Sequence, residues 1–269
     1  MKRLMISLIV FSAMLNTAES QETNLASVLQ PGEALQYKVR WKFLRLGTLY
    51  FTTRPDEQDS TKYFLSLTIV SNPSLPIIDI EEYNTSTIDY GSIYPLDYTG
   101  EWRNGKFVTK IRMEYEMDSR RARYSEHDGN TKSIIKETIL TDIAPFVNGP
   151  TLFLFTRVHS DQVGNLDVPT LIGGDLKQTR LYFTPVVEHV DVDASALPIR
   201  CRKYFGKANW QGGTSAGLSG EFTGWISDDN AAVVVQAEMK VLLGSITLEL
   251  EKYHRPGWTP PSGENLAKK

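Results

Sequence analysis

Apolar and polar residues alternate one by one over much of the chain, beginning in the stretch GEALQYKVRWKFLRLGTLYF at residues 32–51. From Leu35 to Phe43 every odd position is apolar or aromatic, and every even position is polar or charged. Because successive side chains of a strand point to opposite faces, the pattern predicts a strand with one buried and one solvated face. Glu33–Phe43 is predicted to pair with Gly47–Thr53 through the turn LRLG.

The same pattern predicts strands almost to the C-terminus, with two hairpin signals between them. The turn sequences RNGK, which contains Asn104-Gly105, and HDGN are both typical of tight hairpins. The further predicted strands are KYFLSLTIVS, EEYNTSTIDYG, LDYTGEW, KFVTKIRMEYEM, RARYSE, TKSIIKETIL, KQTRLYFTPVV, EHVDVDA, LPIRCRKYFGK, GEFTGWISDD, AAVVVQAEMKVLL and SITLELEKYH.

One segment breaks the alternation. The stretch NGPTLFLFTRVHSDQ opens with Asn-Gly-Pro and continues with a bulky run, and Pro150 suits the first turn of a helix. The sequence predicts a short helix at Pro150–His159. A buried strand is the alternative, because Leu, Phe and Thr fit either structure.

Together these elements predict an all-β fold: a single antiparallel, strongly curled sheet or β-barrel of about a dozen strands with one short helix. A sheet of that size curls or closes because an open one leaves long edges exposed. Residues 32–254 form this domain, preceded by a leader at 21–31 and followed by an irregular tail at 255–269. Alternation alone does not separate a water-soluble barrel from a membrane barrel. The charged segment Arg112–Arg123 favours a water-facing exterior.

The N-terminus has the layout of a secretory signal peptide at residues 1–20. Lys2 and Arg3 precede an apolar run, Leu4–Leu15, and small residues follow it. The run is shorter than the roughly 20 residues that cross a bilayer. An uncleaved anchor is the alternative. The prediction is a protein secreted across the inner membrane into the periplasm, with no transmembrane segment in the mature chain.

Charge and cysteine content narrow the possible partners. The chain carries a net charge of −3, and since residues 1–20 carry +1, the remainder carries −4. This mild acidity disfavours nucleic-acid binding, which asks for a basic footprint. Cys201 is the single cysteine, so no intrachain disulfide forms. Its alternation with Ile199 predicts a buried, inert thiol.

No motif predicts a catalytic residue, a metal site or a cofactor. The four histidines lack paired metal spacing and are interpreted as scattered surface residues. Ser133 and Lys136 match a Ser-x-x-Lys pattern, but in a predicted strand they point to opposite faces. The stretches DVDAS and SDDN do not continue as calcium loops and are interpreted as turns.

Aromatic and methionine side chains on predicted inward faces suggest a ligand cavity as an alternative to plain core filling. Flexible methionines suit an adaptable apolar cavity. The candidate ligand-binding residues are Trp41, Phe43, Met113, Met117, Phe153 and Met239.

An ordered set of stretches resembles the bacterial exported family known as domain of unknown function 3108 (DUF3108). The stretches are GEALQYKVRWKFLRLGTLYF, SNPSLPIIDIEEYNTSTIDYGSIYPLDYTGEWRNGKF, GPTLFLFTR and GWISDDNAAVVVQAEMKVLLGSITLELEKY, spanning Gly32–Tyr253. The markers are Gly-Glu-x-Leu-x-Tyr in the first strand, Tyr94-Pro95, Arg157 and Trp-x-Ser-Asp-Asp. The family often has Asp-Pro before its helix, where this chain reads IAPFVNGPT. The resemblance implies an exported β protein and carries over no catalytic residues.

Three functional hypotheses follow. The first is a periplasmic, non-enzymatic binding or carrier protein for an apolar or lipid-like ligand such as an acyl chain, with the helix as a lid or plug. The second is a cell-envelope assembly or interaction protein with a filled core and envelope proteins as partners. The third is an envelope-polymer hydrolase, which needs convergent carboxylates or a Ser/His pair. An apolar cavity of several hundred Å³ favours the first hypothesis over the second.

Overall fold

The computed structural model describes residues 25–75, 79–208, 220–241 and 244–262. The predicted signal peptide lies outside the described residues. Among these residues, fourteen strands, the helix α1 (Gly149–Val158) and a helical turn at residues 25–28 form the fold. The strands are β1 (Ala34–Trp41), β2 (Leu44–Pro55), β3 (Lys62–Ser71), β4 (Ile80–Asp89), β5 (Asp97–Asn104), β6 (Phe107–Glu116), β7 (Arg121–Asp128), β8 (Ile134–Leu140), β9 (Gly164–Ile172), β10 (Asp175–Val190), β11 (Ile199–Ala208), β12 (Gly220–Ser227), β13 (Val234–Val241) and β14 (Gly244–His254).

All fourteen strands belong to one antiparallel sheet in the order β8-β7-β6-β5-β4-β3-β2-β1-β14-β13-β12-β11-β10-β9. The all-β, curled-sheet prediction is confirmed, although the sheet does not close by strand pairing and β8 and β9 are its edges. Gly164–Ile172 was not predicted as a strand. The two strands predicted between Lys177 and Ala194 are one long strand, β10, whose pairing with β11 shifts register between Phe183 and Val187.

The first hairpin turns two residues earlier than the sequence predicts. Trp41 pairs with Leu44, so Lys42 and Phe43 form the turn and LRLG belongs to β2. Lys42 has a φ of 54°, the left-handed conformation that such tight turns need. The hairpin predicted at Asn104-Gly105 is confirmed, with Asn104 paired to Phe107.

The two sheet edges approach each other at a seam. Val147, in the segment between β8 and α1, makes a parallel bridge with Thr170 of β9. From β8, Lys136 Nζ donates to the carbonyl oxygen of Gly173 at 2.6 Å and lies 3.3 Å from an Asp175 carboxylate oxygen. The seam therefore joins the edges through a connecting segment and a side chain, which makes the sheet barrel-like without a continuous ladder.

Helix α1 lies inside the curl, where the sequence predicts a short helix. Asn148 caps its first turn in a reciprocal capping box with Thr151, and Pro150 follows in the first turn. The helix contacts β3 and β4. Its Phe153 ring stacks on Phe51 with ring centres 4.5 Å apart. None of the helices among the described residues is long and apolar enough to span a membrane.

Residues flanking the predicted domain also join the main core. Within the predicted leader, residues 25–28 form a helical turn, and Leu25, Val28 and Leu29 are buried. In the predicted tail, Trp258 packs edge-on against Tyr253 with ring centres 4.7 Å apart. Both segments therefore contribute apolar surface to the fold.

Candidate functional site

The inward face of β4 is polar. Glu82, Asn84 and Ser86 are 4%, 6% and 0% exposed, while Tyr83 on the opposite face is 42% exposed. Ile88, which is fully buried, shares the inward side with the three polar residues and fixes which way the strand faces. Three polar side chains at two-residue spacing thus line the interior, where burial requires hydrogen-bond partners.

A chain of hydrogen bonds orients two of these side chains. Tyr98 Oη donates to Asn84 Oδ1 at 2.5 Å, and Asn84 Nδ2 donates to Glu82 Oε1 at 2.9 Å. Burial, with further contributions from Glu82 and Tyr124, raises the pKa of Tyr98 far above its usual value. The phenol therefore stays protonated and donates, which fixes the Asn84 amide with its nitrogen toward Glu82.

Asn148 faces the same region from the start of α1. Its Oδ1 accepts hydrogen bonds from Ser86 Oγ at 2.8 Å and from Thr151 Oγ1 at 3.0 Å. Asn148 is 3% exposed, and its Nδ2 has no hydrogen-bond partner among the described residues. A buried amide N–H₂ left unpaired is costly, so this donor points to an acceptor that the described part of the chain does not supply.

Glu82, Asn84, Tyr98 and Asn148 line a cavity of about 80 Å³, hereafter the β4–α1 cavity. A buried water takes up about 30 Å³ of liquid volume, so the cavity has room for roughly three waters. Glu82 is the one charged residue in its lining. The full lining is Leu67, Glu82, Asn84, Tyr98, Ile111, Met113, Tyr124, Asn148, Gly149, Leu171, Ile172 and Gly173.

A second polar group, the buried charge cluster, consists of Glu33, Arg157 and Arg255. Glu33 and Arg157 are each 1% exposed, and Arg157 donates to both Glu33 oxygens at 2.7 and 2.9 Å. Arg255 donates to the same carboxylate and to the carbonyl oxygen of Val28. One carboxylate thereby joins the strand entry, the end of α1 and the chain after β14.

The two arginines of the cluster respond differently to burial. Burial acts to lower the pKa of Arg157, but Glu33 outweighs it and raises that pKa above its ordinary value. Burial lowers the pKa of Arg255 despite the same carboxylate, and Arg157 adds to the lowering. Since arginine stays protonated in proteins, the cluster holds two cations around one anion. It pins α1 in the curl and offers no open position to a ligand.

Of the six predicted ligand-binding residues, only Met113 lines the β4–α1 cavity. The predicted inward orientation of Phe43 is wrong. Phe43 lies in the β1–β2 turn and is 93% exposed, because Trp41 is the last residue of β1. Trp41 lies beside the same turn with Lys42 Nζ 4.9 Å from its ring centre. Phe153 packs against Phe51. Of the remaining two, Met117 packs beside the core residues of β6 and β7, and Met239 pairs with Phe222 of β12.

Other residues considered from the sequence have structural contacts. Asp228 pairs with Arg200 and Arg202, and Asp229 accepts from Ser227 Oγ at 2.7 Å and from Trp258 Nε1 at 2.7 Å. Lys136 donates across the seam, away from Ser133. No three His, Cys, Asp or Glu side chains of the described residues come together as metal ligands.

Cys201 is fully buried, as predicted. Burial, together with the nearby carboxylates of Asp229, Asp228 and Glu188, raises the pKa of its thiol far above the usual value. The thiolate that reacts with electrophiles is therefore suppressed.

His159 at the end of α1 is 8% exposed, so its interpretation as a surface residue is wrong. Burial lowers its pKa, against an opposing effect of Asp161.

The folded state therefore binds fewer protons than the unfolded state once the pH falls below about 6.5, and stability is lost from there down to the lowered pKa of His159. We expect a loss of up to about 1.4 kcal/mol per pH unit in that window. Urea unfolding at pH 7.5 and 5.5 measures it, and His159→Gln should show a shallower pH dependence; equal slopes would contradict the assignment.

A wider, open groove of about 330 Å³ crosses strands β9 to β14. Its lining includes several charged side chains, among them Arg180, Lys207 and Glu238, and Lys240 pairs with Glu221 at 2.9 Å. The groove is therefore larger than the β4–α1 cavity but lacks a buried polar atom without a partner among the described residues.

Comparisons with known proteins identify a matching family and a similar fold. The model of the family described as "Protein of unknown function (DUF3108)" matches residues 36–251. Among solved structures, the chain is similar to a "Beta-barrel-like Protein of Domain of Unknown Function DUF1849" from Brucella abortus, at 10% identity and a TM-score of 0.52. That likeness covers 85% of this chain and 99% of the other, and it shows a shared fold alone. No curated protein matches the sequence.

Proposed function

We propose that this chain, which belongs to the DUF3108 family, is an exported, periplasmic protein that binds a small ligand without transforming it. The observation that supports this most strongly is the β4–α1 cavity, whose otherwise apolar wall carries Glu82, Asn84, Tyr98 and Asn148. A cavity with a few convergent polar groups is the usual form of a small-molecule site. The polar groups fix the orientation of a ligand, and the apolar wall removes it from water.

The size of the cavity revises the ligand expected from the sequence. About 80 Å³ is well below the roughly 300–1,000 Å³ of pockets that hold drug-sized ligands, and α1 fills the neighbouring interior. An acyl chain does not fit beside the helix. The proposed ligand is therefore small, and the helix is a fixed part of the core.

Native mass spectrometry of the mature protein, purified gently from the periplasm, tests the proposal. We expect a reproducible extra mass of a small molecule, released on denaturation. Recovery from the cytoplasmic fraction, or a bare mass that takes up nothing from a metabolite mixture, would contradict it.

A cavity-filling variant tests whether the small molecule that adds the extra mass is bound in the β4–α1 cavity. Leu67 lines the cavity and is half-buried, so Leu67→Phe adds volume where the ligand would lie. We expect this variant to lose the extra mass. Leu197→Phe is the matched control, because Leu197 is 43% exposed and absent from the cavity lining.

The filling of the interior by α1 favours a second candidate function, an envelope assembly or interaction protein with a solid core. Phe51, Tyr37 and Phe153 form a continuous aromatic contact there. The same measurement separates the candidates. A bare mass in both Leu67→Phe and the unmodified protein supports the assembly role and directs the search to protein partners.

A further inference from the structure

The two most exposed aromatic side chains among the described residues lie at hairpin turns on the same end of the sheet. Phe43 in the β1–β2 turn is 93% exposed, and Phe107, which begins β6 after the β5–β6 turn, is 74% exposed. Ile134 and Ile135 begin β8 after the β7–β8 turn and are 62% and 54% exposed. Strands β1 to β8 are sequential antiparallel neighbours, so the turns that follow odd-numbered strands share one end of the sheet. These three turns are hereafter the hairpin rim.

Hydrogen bonds brace the hairpin rim from both sides. Asn130 in the β7–β8 turn donates from Nδ2 to the carbonyl oxygen of Lys106 in the β5–β6 turn at 2.9 Å. Next to the β1–β2 turn, Asn72 after β3 donates from Nδ2 to the carbonyl oxygen of Arg45 in β2 at 3.0 Å. The exposed apolar side chains therefore project from a supported edge of the sheet.

A lysine accompanies each exposed apolar position of the rim. Lys42 and Lys106 each precede the exposed phenylalanine of their turn, and Lys132 lies two residues before the first exposed isoleucine. All three lysines are exposed, and none makes an ion pair with a described residue. Of the nearby acidic residues, Asp128 accepts two backbone N–H groups of its own turn at 2.9 and 2.7 Å, and Asp79 is exposed. The three turns themselves therefore carry a positive charge.

The connections at the opposite end of the sheet are acidic. Residues 56–61, 191–198 and 228–233 join β2 to β3, β10 to β11 and β12 to β13, and they contain no lysine or arginine. Their acidic residues are Asp56, Glu57, Asp59, Asp191, Asp193, Asp228 and Asp229. Since positive charge lies at the rim and negative charge at the other end, an anionic surface attracts the molecule with the rim facing it.

We propose that the hairpin rim docks on the surface of an anionic lipid membrane, with Phe43 and Phe107 inserted among the lipid head groups. Binding at a membrane surface combines burial of apolar side chains with attraction to anionic lipids, and the rim offers both. The lysine stems are long enough to keep the ammonium groups at the lipid phosphates while the phenylalanine rings are buried.

The spacing of the rim favours a lipid surface over a folded protein partner. The β1–β2 and β5–β6 turns are four strands apart, which is up to about 19 Å at the usual strand spacing. The two rings therefore stand on separate tips instead of forming one continuous apolar face. A fluid lipid surface accepts such separate insertions without a matching shape.

Sedimentation of the full mature protein with lipid vesicles tests the proposal. One set of vesicles is pure phosphatidylcholine, and the other is equimolar phosphatidylcholine and phosphatidylglycerol. We expect saturable binding to the anionic vesicles that weakens as salt is raised, and at least tenfold weaker binding to the neutral ones. Binding to neither set, equal binding to both, or a dimer of this chain formed through the rim would overturn the proposal.

Two rim variants separate the apolar and the electrostatic contributions. Phe43→Ala with Phe107→Ala should weaken binding at least tenfold and leave its salt dependence unchanged. The control is Tyr182→Ala with Phe205→Ala, a pair of aromatic residues that are 43% and 40% exposed within β10 and β11, away from the rim. We expect the control to bind as the unmodified protein does.

Replacing Lys42, Lys106 and Lys132 by Gln should weaken binding on the order of a hundredfold and remove most of the salt dependence. Unchanged binding of this variant or of the double phenylalanine variant would overturn the proposal. None of the substituted residues lines the β4–α1 cavity. The extra mass in native mass spectrometry should therefore be retained in all variants, so failure of vesicle binding leaves the proposed ligand-binding function standing.

Discussion

Glu33→Gln is expected to lower the free energy of unfolding by about 3–5 kcal/mol, the usual cost of breaking a buried ion pair. The substitution keeps the shape of the side chain and one acceptor oxygen but removes the negative charge. Arg157 and Arg255, 1% and 7% exposed, are then two buried cations that have lost the carboxylate bonded to both, with only the Coulombic attraction of Asp229 remaining. Their donors to the carbonyl oxygens of Val28 and Ala232 do not neutralise them.

Urea unfolding at pH 7, followed by tryptophan fluorescence, measures this effect. Glu57→Gln is the control, since Glu57 lies exposed in the β2–β3 turn and the same chemical change there should have no resolvable effect. Equal midpoints for the two variants would show that the buried charge cluster does not hold α1 in place.

Phe51→Ala is expected to destabilise the fold by about 3–5 kcal/mol, the range for removing a buried aromatic ring. Phe51 is fully buried, stacks on Phe153 at 4.5 Å and lies 5.8 Å below the Arg157 guanidinium. Its removal leaves a cavity between β2 and α1 at the point where the helix rests on the sheet.

Phe43→Ala makes the same chemical change at a side chain that is 93% exposed, and it should cost no measurable stability. Thermal and urea unfolding of the two variants compare them directly. The comparison also tests the placement of Phe43 outside the interior. A large loss for Phe43→Ala, or a small one for Phe51→Ala, would contradict the packing of the first hairpin.

Strands were predictable where one face is apolar. In β1 and β6 the buried positions Leu35, Tyr37, Ile111 and Met113 follow the alternation in the sequence. Burial of one face also explains why the sheet curls on itself. Strand β9 was missed because one of its buried positions is the polar Thr170, so its buried apolar residues, Val168 and Leu171, do not alternate in the sequence.

The candidate site was not predictable, because its residues contradict the pattern on which strand faces are judged. In β4 the more apolar Tyr83 points outward and Glu82, Asn84 and Ser86 point inward, since Ile88 and the contact with Asn148 fix the strand. Hydrophobicity alone would place Tyr83 inward and the three polar residues outward. The signal available was the Asn-Gly-Pro entry to α1, which predicts a capping residue but not its unused amide nitrogen.

The buried charge cluster could not be predicted from the sequence either. Glu33 and Arg157 both belong to the stretches that carry the family resemblance, yet they are 124 positions apart. Their pairing depends on the curl bringing the start of β1 beside the end of α1. The sequence shows that a charged residue lies among apolar ones, but it does not show which residue forms its ion pair.

We expect the interior to be filled by α1 and a small ligand to occupy the β4–α1 cavity. A crystal structure of the protein purified from the periplasm, at a resolution that shows individual waters and small ligands, tests it most directly. We expect α1 seated on Phe51 and compact density within hydrogen-bond distance of Asn148 Nδ2. Extended density of an acyl chain along β1 to β3, with α1 displaced from Phe51, would contradict the claim and restore the lipid carrier.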